Sequence, residues 1–314
     1  MRSWTRTVAL AVGLALAGCG NYSTEDLRFL AALPQREDLA FKVPAPARTG
    51  ALSSCPPANA SVWLDAKPTA DNINAGVDLV LSLVDLVRRQ PPTWRTQDAR
   101  GWGPFDSGEH PGREIQVIIA RTYPEELAGA PRYAYAFQAR VKGTPDFTTV
   151  IWGVFDGGSA SHGKGGVILL FDQMIAVGIS DATTPPGTMQ IAYDRTSDPV
   201  TLQLVLSNDG FGVVQFGYRS AEYGAGGGLF DFAIRDGSGN LLFISTGYDA
   251  EGAGRADVGV QLAGGGTAGF RQCWGAEACL VYVLDPGNYS CPAAEWPCSF
   301  GVETDCPAVP VSPF

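Results

Sequence analysis

The chain of 314 residues has only two histidines, His110 and His162, and no pair of cysteines separated by two residues. So few imidazoles leave few ways to build a serine triad or a histidine-rich metal centre, and without C-x-x-C pairs a zinc site is not favoured. No serine lies in a complete G-x-S-x-G turn, and segment 178–182 fails at its last position. We therefore predict no catalytic residue, no cofactor and no metal site.

Long apolar runs are also missing, and the run Val8–Ala17 is too short to span a bilayer. Two arginines precede it and small residues follow it, which is the pattern of an export signal. The signal ends in Leu16-Ala17-Gly18-Cys19, which resembles the lipobox of bacterial lipoproteins. The resemblance implies that residues 1–18 are removed and that Cys19 carries lipid; an ordinary signal with a chance cysteine is the alternative.

The resemblance implies a cell-envelope protein that is attached to a membrane through its N-terminal lipid. Gly20 and Asn21 follow the cysteine, whereas in many Gram-negative lipoproteins an Asp there directs retention in the inner membrane. We therefore expect the outer membrane. The net charge of −10 disfavours nucleic acid and anionic lipid surfaces, so we expect no nucleic-acid partner and attachment by lipid alone.

Two short segments, Cys19–Leu27 and Phe270–Trp274, resemble uncharacterised lipoproteins of myxobacterial type. That resemblance implies no particular activity.

The six cysteines other than Cys19 form an even set, which suits disulfides in an oxidising compartment. Two of them flank a short loop between strand-like runs, where facing residues are close enough to bond. Two others share a Pro-rich tail, and the remaining two would tie the start of the domain to its end. We therefore predict the pairs Cys273–Cys279, Cys298–Cys306 and Cys55–Cys291.

Composition divides the chain into four parts. A capped helix is predicted from Ser23 to Pro34, resting on the membrane or on the domain, and several prolines before Cys55 indicate a tether. We predict a signal peptide at 1–18, the lipidated cysteine with helix and tether at 19–54, one folded domain at 55–292 and a tail at 293–314.

One long helix is predicted from about Asp71 to Arg89, with Thr69 or Asp71 as its cap and two prolines after it. Its wide apolar stripe indicates a core helix on a sheet, or a lid over a cavity. The stripe consists of Ile73, Val77, Val80, Val84 and Val87, widened by three leucines.

Beyond Glu114, apolar residues recur with a period of two, as in Tyr133–Val141 and Val200–Leu206. About a dozen such runs with short turns predict a mainly β fold, an antiparallel meander that curls into a barrel or half-barrel with the long helix packed against it. Aromatic-Asp pairs at run ends indicate aspartates that open turns: Phe155-Asp156, Phe171-Asp172, Tyr193-Asp194 and Tyr248-Asp249.

Two further segments invite a functional reading. Gly158–Gly165 matches the GxxxxGK part of a phosphate-binding loop, but Gly165 replaces the expected Ser or Thr and a strand is predicted to follow, so we interpret it as a hairpin loop. Trp94, Trp102 and Phe105 are predicted to cover one end of the barrel, or to form a rim that contacts sugar or lipid.

These patterns favour a non-enzymatic lipoprotein with a structural or interaction role, whose partner is an envelope protein. Lipoprotein carriers that pair a curved antiparallel sheet with helices suggest an alternative, a binding module for an apolar ligand held between sheet and helix. A third hypothesis is an exported hydrolase that uses two carboxylates.

Overall fold

The computed structural model describes residues 22–35, 39–43, 60–156, 163–180, 186–207, 216–222, 226–235, 238–285 and 299–309. The α-helices within them are α1 Thr24–Ala31, α2 Ser61–Arg88 and α3 Phe171–Val177, and 3-10 turns occur at Glu125–Leu127 and Glu303–Asp305. The strands are β1 Trp94–Arg95, β2 Ala99–Asp106, β3 Arg113–Thr122, β4 Arg132–Val141, β5 Thr148–Asp156, β6 Lys164–Leu170, β7 Thr188–Asp194, β8 Val200–Ser207, β9 Phe216–Glu222, β10 Gly228–Arg235, β11 Leu241–Tyr248, β12 Gly254–Gln261, β13 Thr267–Trp274, β14 Leu280–Leu284 and β15 Ser299–Phe300.

The fifteen strands form one antiparallel sheet whose spatial order is the order of the chain. Each strand pairs with the one before it, so the predicted meander is confirmed. In the described part of the chain β1 and β15 do not pair, and each has only two residues. A closed barrel, one form of the prediction, is therefore wrong, because such short terminal strands give too few hydrogen bonds to close the sheet.

The two faces of the sheet differ in burial, as the alternation predicts. Along β4, Tyr133, Tyr135, Phe137 and Ala139 are buried while their neighbours are partly or fully exposed. Leu202 and Leu204 of β8 are buried in the same way. We call the buried side the inner face and the other side the outer face.

Three strands are absent from the prediction, and one of them explains the tryptophan cluster. β2 contains Gly103 and Pro104, and its register against β3 shifts between Trp102 and Phe105, which hides the alternation. Trp102 is buried on the inner face and donates from its indole nitrogen to the Gln90 carbonyl at 2.8 Å. The prediction that these aromatics cover a barrel end is therefore wrong for Trp102, which is a core residue.

The long helix α2 begins at Ser61, about ten residues before the predicted caps. Its first free N–H groups are satisfied by the sheet: the Ala60 amide donates to the Ala278 carbonyl at 3.0 Å, and the Val62 amide donates to Gln272 Oε1 at 3.2 Å. The predicted start was wrong because partners distant in sequence replace a local cap.

The predicted stripe of this helix lies inward where the structure describes it. Val77, Val84 and Val87 are buried, and the side chains of Ile73 and Val80 lie outside the described residues.

Residues 22–35 and 39–43 pack on the core, so the described part of the predicted tether is folded onto the domain. α1 has the predicted capping box between Ser23 and Asp26, and it rests on the domain because Phe29 and Leu33 are fully buried. Phe41 is also buried and packs edge-on against Phe230, 5.6 Å between ring centres. The folded domain therefore starts by Tyr22 rather than at Cys55.

Segment 39–43 is held against the middle of α2 by one side chain. Asn74 Oδ1 accepts from the Phe41 amide at 2.7 Å, and Asn74 Nδ2 donates to the Phe41 carbonyl at 2.8 Å. On the sheet side, the Tyr248 hydroxyl donates to the Lys42 carbonyl. This extended segment therefore joins the helix to β11.

A buried carboxylate fixes α1 on the sheet. Asp26 is fully buried and forms ion pairs with Arg100 at 2.6 Å and Arg95 at 3.1 Å, while the Ser23 amide donates to it at 2.8 Å. Burial alone would raise the pKa of Asp26, but these hydrogen bonds outweigh it and lower the pKa to about 2. The interaction joins the first helix to β1 and β2.

Aromatic side chains on the sheet lie over glycines directly opposite them on the next strand. A Cβ atom added to any of these glycines would collide with the opposing ring, so only glycine leaves room for it. The opposed pairs are Trp94 with Gly101, Tyr135 with Gly153, Tyr193 with Gly165, Tyr248 with Gly228 and Trp274 with Gly254.

We predict that Asp26→Asn lowers the free energy of unfolding at pH 7 by about 3 kcal/mol, because it leaves Arg100 buried without a counter-charge. Since the folded pKa lies below its ordinary value of 3.8, this carboxylate stabilises the fold above about pH 4, and the contribution of about 2 kcal/mol is lost as the pH falls through 2. Urea titrations across pH measure both effects. The exposed pair Lys67–Asp71 supplies the control, Asp71→Asn, which should change stability by at most about 0.5 kcal/mol. Equal effects of the two variants would contradict the prediction.

We also predict that Gly153→Ala destabilises the protein by about 2 kcal/mol, because the new methyl collides with the Tyr135 ring and the Gly166 carbonyl. Gly259 of β12 has no atom within 4 Å of such a methyl, so Gly259→Ala should be neutral or slightly stabilising. Thermal unfolding followed by circular dichroism compares the two variants. A Gly153→Ala variant as stable as Gly259→Ala would show that the ring has room to move.

Candidate functional site

An open groove of about 420 Å³ lies across strands β5 to β8 on the outer face of the sheet. Three cross-strand rows of side chains define its surroundings, since alternate residues of every strand reach this face. The charged row is Arg132, Asp156, Lys164, Asp194 and Thr201; the small row is Ala134, Val154, Gly166, Ala192 and Gln203; the tryptophan row is Ala136, Trp152, Ile168, Gln190 and Val205.

The small row forms the floor of the groove. Gly166 and Ala192 stand side by side in its centre, and both have short or no side chains. Neighbouring rows are about 7 Å away along the strands, and their longer side chains rise on either side. The depression therefore follows from small residues at two matched positions.

The charged row alternates in sign from β4 to β7. Arg132 forms a two-pronged pair with Asp156, with nitrogen–oxygen distances of 2.6 and 2.9 Å, and Lys164 lies between the two aspartates in register. Two cations and two anions leave the row itself without net charge, and Glu126, outside the row, also pairs with Arg132 at 3.1 Å. The groove therefore does not select for a strongly charged ligand.

Both groove carboxylates are held in the ionised form. The hydrogen bond from Arg132 is the main cause that lowers the pKa of Asp156. The hydrogen bond from the Thr196 hydroxyl, at 2.6 Å, is the main cause that lowers the pKa of Asp194. Neither group is adapted to donate a proton near neutral pH.

The remaining polar side chains of the groove are available to a ligand. In the described part of the chain, Lys164, Thr201 and Gln203 make no side-chain hydrogen bond or ion pair. Together they offer an ammonium donor, a hydroxyl and an amide, so the site both donates and accepts hydrogen bonds.

An exposed aromatic ring lies one row beyond the floor. The side chain of Trp152 is 42% exposed, and its neighbours across the strands are Ala136 and Ile168. Gln190, also exposed, continues the same row. An apolar strip thus adjoins the polar groove, a combination that binding sites share.

The cysteine predictions need correction. Cys273 is disulfide-bonded to Cys306, so Cys273–Cys279 and Cys298–Cys306 are wrong. The residue opposite Cys273 is Tyr282, because a register shift follows Cys273 and the turn uses Cys279 itself. Cys279 is disulfide-bonded as well, to a partner outside the described residues.

The other cysteines of the predictions, Cys19, Cys55, Cys291 and Cys298, lie outside the described residues. Part of the predicted tail is ordered: β15 pairs with β14, and Glu303 accepts from Arg271 on the outer face. The segment that contains Cys306 is thereby brought over β14 to β13.

The aspartates that follow aromatics have three different roles. Asp194 and Asp249 open turns as predicted, each accepting from backbone amides two to four residues further along the chain. Asp156 pairs with Arg132 instead, and Phe171-Asp172 begins α3 rather than ending a strand.

The phosphate-loop near-match does not form a phosphate site at its described end. Lys164 begins β6, so a strand follows as predicted, not a helix. His162 lies outside the described residues. His110 occupies a turn in which its amide donates to Ser107 at 3.1 Å, and it lies between strands remote from the groove.

Among the described residues, no helix combines the length and apolar character needed to cross a bilayer. The same residues contain no group of three or more His, Cys, Asp or Glu side chains that would hold a metal ion.

No protein-family model matches the chain, and searches of curated proteins and of solved structures found no significant match. The groove is therefore interpreted from its own chemistry.

Sequence reasoning missed the groove because its lining comes from four strands between positions 154 and 203. The signal in the sequence was the two-residue alternation along each strand, which places Trp152, Gly166 and Ala192 on the outward side of β5 to β7. Only the pairing register shows that these positions meet.

We predict that peptide mapping without reduction recovers the peptides of Cys273 and Cys306 joined. Their bond closes a loop with a sequence separation of 33, so Cys306→Ser should lower the free energy of unfolding by about 3 to 4 kcal/mol in the chain-entropy treatment. Recovery of a peptide that joins Cys273 to Cys279 would contradict the assignment.

Proposed function

We propose that this protein is a lipid-anchored envelope protein that acts by binding at the outer face of its sheet. The observation that carries the proposal is the groove over β5 to β8, where Lys164, Thr201 and Gln203 are unengaged beside a flat floor. The lipobox at Cys19 supports the anchor. A binding role at the envelope corresponds to the interaction role expected from the sequence.

The anchor would hold the domain close to the membrane. Tyr22 is fixed by its hydroxyl, which donates to the Arg88 carbonyl at 3.1 Å, and it follows Cys19 by three residues. Three residues span at most about 10 Å. With the lipid on Cys19, the outward side of α1, where Leu27 is 55% exposed, would lie at the bilayer surface.

We infer that the sheet bends around α2 as a half-barrel. The helix is bonded at one end near β13 and β14, through Ala60 and Val62, and at the other near β2, through Gln90 and Trp102. Twenty-eight residues reach about 42 Å, whereas the eleven strand steps from β2 to β13 amount to about 53 Å along the sheet. A tilted helix would reach even less far across the strands, so curvature makes up the difference.

The carrier alternative is disfavoured by what fills this concavity. Phe29, Leu33, Leu39 and Phe41 are all at most 3% exposed and belong to one cluster with the inner face. An apolar ligand would have to displace these side chains. For the described residues, the space between sheet and helix is occupied by the protein itself.

The hydrolase alternative is disfavoured by the groove carboxylates. A glycosidase needs one carboxyl group with a raised pKa as its general acid, whereas the pKa values of Asp156 and Asp194 are both lowered. The groove thus supplies recognition groups without an acid.

Two measurements test the anchor. Mass spectrometry of the protein from membranes should find acyl chains on Cys19, and Cys19→Ser should release the protein from the membrane fraction. A photo-crosslinking residue placed at position 27 should then form lipid adducts, whereas one at position 203, in the groove, should not. An unmodified Cys19 would overturn the anchor; acylation without adducts at position 27 would overturn only the close approach.

A further inference from the structure

We propose that the groove binds a neutral saccharide, with Trp152 as the apolar platform for a sugar ring. The proposal rests on the proposed function in one respect, namely that an exported protein meets the glycans of the envelope. A sugar has apolar C–H groups on the faces of its ring and hydroxyl groups around its rim. The tryptophan row can contact the C–H groups, and the polar side chains around the small row can bind the hydroxyl groups.

Charge is the first argument for a neutral ligand. In the charged row, Arg132 and Asp156 neutralise each other by a two-pronged pair, and Lys164 lies in register between Asp156 and Asp194. A strongly anionic or cationic ligand would meet one favourable and one unfavourable partner within a few ångströms. A neutral ligand avoids that penalty.

Hydrogen-bonding chemistry is the second argument. Sugar hydroxyls both donate and accept, and the unengaged groups of the site do the same: Thr201, Gln203 and Gln190 each offer a donor and an acceptor. Lys164 adds an exposed ammonium donor that makes no hydrogen bond among the described residues, although its charge acts on Asp156 and Asp194. These side chains surround a floor of Gly166 and Ala192, whose small side chains leave room for a sugar residue.

A peptide is the less suitable occupant. Peptides commonly bind sheets by adding a strand at a free edge, but β5 to β8 are central strands with partners on both sides. Their backbone groups are already paired along the ladder. A ligand at this face must therefore be recognised by side chains alone.

Trp152 supplies the apolar contact. It lies about two residues along β5 from Val154 of the floor, on the same face, and is flanked by Ala136 and Ile168. With 42% of its side chain exposed beside small and apolar neighbours, Trp152 offers apolar aromatic surface to the solvent next to the groove. Trp94, 40% exposed on the same face at β1, is the matched control because it is remote from the groove.

The test is calorimetric titration of the mature protein, purified from membranes in detergent with whatever modification Cys19 carries, with chitotetraose and, separately, maltotetraose. We expect saturable binding of at least one of them. Trp152→Ala, and Ala192→Leu, which fills the floor at an exposed position, should each weaken binding at least about tenfold. Trp94→Ala should leave the affinity within about twofold, and circular dichroism should show that all variants remain folded.

Preference for chitotetraose would indicate amino-sugar polymers as the source of the ligand, and preference for maltotetraose would indicate glucan-type polymers; both support the proposal. Absence of saturable binding by either up to about 10 mM, equal losses in Trp152→Ala and Trp94→Ala, or binding only of an unstructured peptide control would overturn it. Because acylation of Cys19 is scored separately, failure of sugar binding leaves the anchor standing, and the reverse also holds.

Discussion

A single wide sheet has an apolar face that the sheet itself cannot cover, and this constraint governs the rest of the molecule. In a sandwich, a second sheet buries that face, but here all fifteen strands lie side by side in one meander. Most of the described cover comes from the chain before β1, and α3 adds Met174 and Val177 to it. α1, segment 39–43 and α2 all lie against the inner face, and their buried residues form one cluster with it.

Because the N-terminal elements cover the sheet, their position on it must be fixed, and directional polar interactions do this. Asp26 with Arg100, Asn74 with the backbone of Phe41, and Gln272 with the first turn of α2 each join elements that are distant in sequence. Apolar contacts alone would let a helix slide along a uniform sheet. Directional bonds at its two ends and its middle fix its position.

The sequence predicted the strands well because alternation is a local signal. Runs such as Tyr133–Val141 carry the period of two within one strand, and nearly every such run became a strand. The features that the sequence did not reveal depend on pairing between distant segments. The start of α2 is capped by the sheet, the disulfide partner of Cys273 comes from the C-terminal segment that contains Cys306, and the groove exists only where Gly166 meets Ala192. Proline content suggested a tether before Cys55, but within it the burial of Phe41 holds segment 39–43 on the domain.

The pairing of aromatics with glycines has a consequence for how the meander is encoded. Successive strands of similar length and composition could pair one step out of place, and a slip of two residues would keep every apolar side chain on the correct face. A ring that fits only above a glycine makes such a slip costly, since the displaced ring would meet a side chain. The pairs Tyr135–Gly153 and Tyr248–Gly228 therefore favour a single register of their strands. A substitution of the glycine should be tolerated only if the opposing ring is replaced by a smaller side chain. Each pair therefore penalises a wrong register between two neighbouring strands.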